Sequence, residues 1–179
     1  MFEVGKLIES DKQAILIFLH KSLDIEYAYT IDYPRIIDIL VNGDQVPDPE
    51  YRLRRSLETL AEQSVEHLHA TAKLIDALGD KPQWRVPAIE RIVDVHTSLL
   101  VQLESKKASV ALFEQAINVA TSRPSGLLGK VRTAIGGNPT CAAGENSTVR
   151  LLERLSREEQ AHVAVLKGLI SEFNIQAEE

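Results

Sequence analysis

Apolar residues recur along this chain at alternating steps of three and four, the spacing that places them on one side of an α-helix. Four segments show the pattern, at about residues 4–41, 50–78, 87–121 and 147–174. No stretch between turn signals alternates polar and apolar residues in the way that predicts a strand. The pattern therefore predicts an all-α protein with four long amphipathic helices.

The connections between these segments contain residues that end helices. Residues 42–50 (NGDQVPDPE) include a Gly and two Pro, and residues 122–146 are rich in Gly, Pro and small polar residues, so both are predicted loops. Gly79 suits the C-terminal cap of the second helix, and Pro87 suits the first turn of the third. The chain is predicted to form one domain over residues 1–179, an antiparallel four-helix bundle with a long loop before its fourth helix.

Charged side chains interrupt two of the apolar stripes. Glu26 lies midway along the first stripe, and Glu159 and His162 replace apolar residues midway along the fourth. Burial of an unpaired carboxylate costs roughly several kcal/mol, so each position requires a compensating charge. These residues are therefore candidates for a polar site in the core.

A second Glu-x-x-His pair, Glu66 and His69, lies in the second helix, on the flank of its apolar stripe. Residues at i and i+3 point to one side of a helix, so each pair can form half of a metal site, to which Glu26 adds a terminal carboxylate. Alternatively, the pairs belong to solvated helix faces, as expected for the neighbouring His67. Two divalent metal ions would compensate the buried carboxylates.

Charge and composition limit the partners and the location. The chain has 20 Lys and Arg against 26 Asp and Glu, a net charge of −6, which does not favour binding to nucleic acid. Its apolar run Ala14–Leu19 is far shorter than the ~20 residues of a membrane span. The single Cys141 cannot form an internal disulfide, and the N-terminus lacks a signal-peptide pattern. These features predict a cytoplasmic protein.

The motifs resemble those of the ferritin-like superfamily, which includes bacterioferritins and rubrerythrins. Tyr33 follows Glu26 by seven residues, as in the Glu-x6-Tyr pattern of that superfamily. EHLHATAKLIDALGDKP in the second helix and REEQAHVAVL in the fourth are similar to its Glu-x-x-His segments. The resemblance spans nearly the whole chain and implies a ferritin-like bundle in which Tyr33 lies close to the metal ligands. The implied ligands are Glu26, Glu66, His69, Glu159 and His162.

The third helix departs from the superfamily, which usually places a further Glu there. The corresponding position is Lys106, between Leu103 and Val110 on the apolar stripe. The nearest carboxylate, Glu104, is about 200° away around the helix. Either Glu104 is recruited as a ligand, or the Lys106 ammonium points inward and replaces a metal charge.

The resemblance implies a di-iron carboxylate oxidoreductase of the ferroxidase or peroxidase type. Two Fe ions, or Mn in their place, would react with O₂ or peroxide. The alternative, favoured by Lys106, is a bundle whose metal site is altered or lost and which serves as an assembly or binding module. A homodimer through the first two helices is also predicted, because two-fold dimers are the commonest oligomers and the first helix has apolar residues on more than one face.

Overall fold

The computed structural model describes residues 3–42, 51–85, 94–122 and 147–172, and no strand occurs among them. It contains four α-helices: α1 (Glu3–Asn42), α2 (Arg52–Ala77), α3 (Val95–Thr121) and α4 (Ser147–Glu172). The all-α prediction is confirmed for this part of the chain. The predicted loop residues 43–50 and 123–146, and the predicted end of the fourth helix at 174, lie outside it.

The end of α2 follows from one glycine. Gly79 has a φ of +81°, a backbone conformation that is costly for residues with a Cβ. Its N–H donates to the Asp76 carbonyl at 2.8 Å, and the Asp80 N–H donates to the Ile75 carbonyl at 3.2 Å. These two bonds form a Schellman motif, which satisfies carbonyls at the end of the helix. The predicted cap at Gly79 is confirmed.

The start of α3 differs from the prediction. The helix begins at Val95, not near Pro87, and residues 86–93 lie outside the described chain. Asp94 is extended, with φ −155° and ψ 163°, and its side chain accepts a hydrogen bond from the Thr97 N–H. A Ser98 hydroxyl also donates to the Asp94 carbonyl at 2.7 Å. Asp94 is thus an N-cap, and the apolar periodicity that continues before it does not extend the helix.

Two apolar clusters fill the core and reveal the direction of each helix. The Phe113 cluster comprises Ile15, Leu16, Leu19, Leu23, Leu68, Leu74, Ile75, Leu78, Phe113, Ala116, Ala120, Leu152 and Leu155. The Tyr33 cluster comprises Tyr29, Tyr33, Ile36, Leu53, Leu57, Leu60, Val95, Leu99, Leu103, Leu166 and Leu169. α1 and α4 therefore run from the Phe113 cluster to the Tyr33 cluster, and α2 and α3 run the opposite way.

The neighbouring helices are all antiparallel. α1 packs against α2 and α3, α3 packs against α4, and α2 and α4 make the least contact of the four adjacent pairs. The consecutive helices α2 and α3 are parallel. The described residues that follow α2 lie along α1, since Asp80 accepts a hydrogen bond from His20 at 3.1 Å and the Trp84 ring contacts the Tyr27 ring edge-on.

A layer of buried polar residues separates the two clusters. We call it the polar layer, and its members are Ser22, Glu26, Ser64, His67, Lys106, Ser109, Glu159 and His162. Every helix contributes to it at about its midpoint. No helix in the described ranges is long and apolar enough to cross a membrane.

The Asp94 cap yields a stability prediction. Asp94→Ala should lower the free energy of unfolding by about 1 kcal/mol, because the Thr97 N–H loses its acceptor, and Asp94→Asn should lose much less. Urea unfolding of both variants and the wild type measures the difference. Equal stability of the alanine variant and the wild type would contradict the assigned cap.

The same cap has a pH dependence. The Thr97 N–H lowers the pKa of Asp94 below its usual value, so its contribution to stability is present above the unfolded pKa, about 3.9. That contribution is lost as the pH falls through the folded pKa. The difference between wild type and Asp94→Ala should therefore shrink in acid.

Candidate metal centre

The residues of the polar layer lie on the same stripes that form the core. On α4 the buried positions follow steps of four and three through Leu155, Glu159, His162 and Leu166. On α2 the same steps run through Leu60, Ser64, His67, Thr71 and Leu74. Helical periodicity therefore directs these polar groups to the bundle axis as it directs the leucines on either side.

The Lys106 ammonium occupies the middle of the layer. Its Nζ lies 3.1 and 3.0 Å from the two carboxylate oxygens of Glu26 and 3.1 and 3.0 Å from those of Glu159. It also donates to Ser64 Oγ at 3.2 Å and lies 4.1 Å from the centre of the Tyr29 ring. The Lys106 side chain is fully buried, and three acceptors match the three N–H bonds of an ammonium.

Two histidines complete the layer on its α2–α4 side. His67 Nδ1 donates a hydrogen bond to Glu159 Oε1, and His162 Nδ1 lies 3.5 Å from the same oxygen. The two imidazole rings are stacked, with centroids 5.0 Å apart and planes inclined by 20°. One ligand atom from each of His67, Glu159 and His162 lies within 4.8 Å of the others.

The outward nitrogens of both rings have acceptors nearer the surface. His67 Nε2 donates to Glu158 Oε2 at 3.0 Å, and His162 Nε2 donates to Gln63 Oε1 at 2.8 Å. The Nδ1 atoms of both rings therefore face Glu159. The buried His162 Nδ1 has no hydrogen-bond partner among the described residues. Metal-binding histidines characteristically donate their second ring N–H in this manner, which leaves the inner nitrogen free for the ion.

The pKa shifts distinguish the two carboxyl groups. Burial raises the pKa of Glu26 to about 7, although the Lys106 charge opposes the shift. Burial alone would also raise the pKa of Glu159, but contacts with both histidines and with Lys106 outweigh it and lower that pKa. Glu159 is therefore the more acidic of the two groups, and Glu26 is the one whose ionisation depends on the adjacent ammonium.

The histidines shift in opposite directions. Burial lowers the pKa of His162, which favours neutral imidazole. Burial would do the same to His67, but the hydrogen bond to Glu159 and its charge outweigh burial and raise the His67 pKa. In the absence of an ion, the proton on His67 Nδ1 balances part of the carboxylate charge.

A tyrosine pair borders the layer on the side of the Tyr33 cluster. The Tyr29 and Tyr33 rings are stacked 5.4 Å apart, and the Tyr29 hydroxyl donates to the Gln102 carbonyl at 3.2 Å. The Tyr33 hydroxyl is buried and has no hydrogen-bond partner among the described residues. Burial raises the pKa values of both tyrosines, so both remain protonated phenols. A role for Tyr33 beside bound metal stays a prediction.

The structure brings together three of the predicted ligands and excludes three. Glu26, Glu159 and His162 are buried in the polar layer. Glu66 and His69 are exposed, so the prediction that they converge with the others in the core is wrong. The alternative in which Glu104 is recruited as a ligand is also wrong, because the Glu104 side chain is 70% exposed and pairs with Lys107.

The error on α2 is one of register. Glu66 and His69 each lie two residues, or about 200°, beyond the inward positions Ser64 and His67. His67, expected to be solvated, is only 3% exposed. The signal that identifies it is the stripe itself, since Ser64, His67 and Thr71 continue the three-and-four spacing of the α2 leucines.

The donors that converge suit one ion better than two. Ferritin-like di-iron centres use one Glu from each of two helices and a Glu-x-x-His pair from each of the other two. Here Ser64 and His67 form the inward pair on α2, and Lys106 takes the inward position on α3. Two of the four carboxylate positions are thus a hydroxyl and an ammonium. The ligand set predicted for two irons is not assembled, whereas two imidazoles and one carboxylate remain for a single ion.

Comparison with known proteins supports the fold. The chain is similar to a solved structure described as "Crystal structure of ferritin like, diiron-carboxylate proteins from Bacillus anthracis str. Ames". The sequences are 20% identical, the TM-score is 0.65, and the similarity covers 89% of this chain and 97% of that chain. No protein-family model matches the chain, and no curated protein matches its sequence significantly. The fold is therefore a ferritin-like four-helix bundle, as the sequence predicted.

The contacts of Lys106 predict a large loss of stability in one variant. Lys106→Met leaves Glu26 and Glu159 buried without their ammonium and should cost roughly 3–5 kcal/mol, measured by urea unfolding of metal-free protein. The double variant Glu26→Gln/Lys106→Met removes one charge of each sign and should be more stable than the single one. Lys107→Met, at the exposed neighbour, should change stability by about 0.5 kcal/mol or less. A Lys106→Met protein as stable as the wild type would show that the ammonium is not needed in the core.

Proposed function

We propose that this protein binds one divalent transition-metal ion at His67, Glu159 and His162 and works as an oxidoreductase of the ferritin-like fold. The observation that carries the proposal is the orientation of the two imidazoles, whose Nδ1 atoms both face Glu159. Their Nε2 atoms are held by Glu158 and Gln63. The His162 Nδ1 atom is buried 3.5 Å from a Glu159 oxygen and has no hydrogen-bond partner in the described part of the chain, so it is a ligand atom suited to a cation.

The donor set indicates the class of metal. Two imidazoles and one carboxylate are used by mononuclear iron(II) sites with open positions, and imidazole also suits Co, Ni, Cu and Zn. An all-carboxylate site would favour Mg²⁺ or Ca²⁺ instead. We expect iron to be the physiological ion, because two imidazoles and one carboxylate with open positions are typical of iron(II). Mn is the second choice, because carboxylate ligands suit it. When bound, iron would supply one-electron chemistry with O₂ or peroxide.

The surrounding residues orient the ligands and limit access to them. Glu158 and Gln63 keep an N–H on the outer nitrogen of each ring, so the inner nitrogen can face the ion. The apolar clusters close the layer on two sides. The Glu158 side chain is 43% exposed and lies between the centre and solvent on the α2–α4 side. We propose that an ion and a small oxidant reach the centre on that side.

A second candidate function has its own observation. Lys106 is paired on all three of its N–H bonds, and His67 lies between two carboxylates. These pairs balance charge without any ion. A metal-free bundle of this kind would act as an assembly or binding module.

Metal loading distinguishes the two candidates. The wild type should bind about one Co²⁺ or Fe²⁺ per chain, and His67→Ala or His162→Ala should weaken binding by at least 10-fold, measured by calorimetry and by metal analysis. His69→Ala is the matched control, because His69 is an exposed histidine of the same helix, and it should bind as the wild type does. A folded wild type without affinity for either ion would favour the module instead.

The proposed redox activity is tested on the same proteins. Iron-loaded wild type should oxidise its Fe(II) when O₂ or peroxide is added, followed by absorbance, and His162→Ala should lose this protein-dependent rate. Oxidation no faster than that of free Fe(II) would restrict the function to metal binding.

We also propose the homodimer that the sequence predicted. Ile17, on the outer side of α1, is 53% exposed, and a two-fold interface through α1 and α2 would cover it. Sedimentation at micromolar concentration should give about twice the chain mass of 19.9 kDa. Ile17→Lys should favour the monomer, whereas Val101→Lys, at an equally exposed valine of α3, should not. A monomeric wild type would contradict the proposal.

A further inference from the structure

We propose that Lys106 selects the charge of the ion at this centre, so that the site accepts a divalent cation and discriminates against a trivalent one. The inference rests on the proposed function, that is, on a metal ion bound at His67, Glu159 and His162. It adds a specificity-determining role for a residue that is not a ligand.

The first step of the argument is the position of the ammonium. Lys106 Nζ contacts both oxygens of Glu26 and both oxygens of Glu159 within 3.1 Å. The ammonium therefore lies between the two buried carboxylates, where a metal ion of a two-metal centre would otherwise compensate them. It cannot leave easily, because its side chain is fully buried.

The second step is that the ammonium and the ion share a ligand. Glu159 Oε1 accepts hydrogen bonds from Lys106 Nζ at 3.1 Å and from His67 Nδ1. An ion bound by Glu159 in place of the His67 proton is therefore a near neighbour of Nζ. The repulsion between them grows in proportion to the charge of the ion and is weakly screened in a buried site.

The third step is the total charge of the layer. Glu26 and Glu159 contribute at most −2, and Lys106 contributes +1, which leaves −1 to offset an ion. A divalent ion brings the sum to +1 and a trivalent ion to +2. Ser64, whose hydroxyl takes the inward position on α2, adds no charge. A trivalent ion is thus undercompensated in an interior where excess charge is costly.

The expected effect of removing the ammonium is specific to charge. Lys106→Met should raise the affinity for Ga³⁺ relative to Co²⁺ by about 10- to 100-fold. The ammonium repels an ion in proportion to the charge of that ion, so its removal favours the trivalent ion more than the divalent one. For the same reason it should lower the Fe(III)/Fe(II) reduction potential of the iron-loaded protein. A residue that only supports the fold would change both affinities together and leave their ratio unchanged.

The experiment measures Co²⁺ and Ga³⁺ affinities by competition with a chelator, and the iron potential by redox titration. The variants are Lys106→Met and Lys106→Gln, the second retaining hydrogen-bond donors in case the first does not fold. Lys107→Met is the control, because Lys107 is the exposed neighbour paired with Glu104. Glu26→Gln/Lys106→Met restores the sum of −1 and should return the affinity ratio toward that of the wild type.

The outcomes separate this inference from the proposed function. A Ga³⁺ to Co²⁺ ratio and a potential that stay at wild-type values in the Met or Gln variant would overturn charge selection and leave the metal site standing. A shift in Lys107→Met as large as that in Lys106→Met would also overturn it. A wild type that binds no Co²⁺ would overturn the proposed function, and charge selection with it.

Discussion

The register of the four helices depends on the contacts of the Lys106 ammonium. One nitrogen atom, supplied by α3, contacts Glu26 of α1, Ser64 of α2 and Glu159 of α4. Its position therefore sets the height of each helix relative to the other three. If one helix shifted by a turn along another, the leucines could pack against new apolar partners at a small cost. A buried carboxylate would lose the ammonium that pairs with it, which costs much more. The free energy of folding comes from the clusters, whereas the register comes from the layer between them.

The polar layer also explains how α2 and α4 stay together. These helices make the least contact of the adjacent pairs, and midway along them the contacts are polar: His67 to Glu158 and Glu159, and His162 to Gln63. Polar groups that are hydrogen-bonded to one another near solvent can separate at lower cost than interdigitated leucines. The side of the bundle with the weakest apolar packing is therefore the side on which the imidazoles lie, and it is the side on which the proposed ion would enter.

The extent of what the sequence predicts can be judged from particular residues. On α1 and α4 the sequence places Glu26, Glu159 and His162 in the core, as the structure does. These residues interrupt long apolar stripes, and the stripe determines the direction in which a side chain points. On α2, Glu66 and His69 have the spacing of the Glu-x-x-His motif but lie on the exposed side of the helix, because the motif and the apolar stripe indicate different positions there. Glu158 and Gln63 were not identified at all, since their role depends on partners 91 and 99 residues away in the chain. The predicted start of α3 differs from the observed one for a local reason. The Asp94 side chain accepts a hydrogen bond from the Thr97 N–H in the first turn, at a point where the apolar periodicity of the sequence continues in both directions.

The composition of the layer has a consequence for the chemistry of this fold. A centre of four carboxylates supplies enough negative charge for two divalent ions and stabilises them further as they are oxidised. With Ser64 and Lys106 at two of those positions, the charge of the layer falls from −4 to −1. One proton on His67 balances this charge in the metal-free bundle. The proposed divalent ion would displace that proton and leave the layer at +1. Such an ion would therefore meet a bundle that is already folded, and it would compete with a proton and not with an unfolded chain.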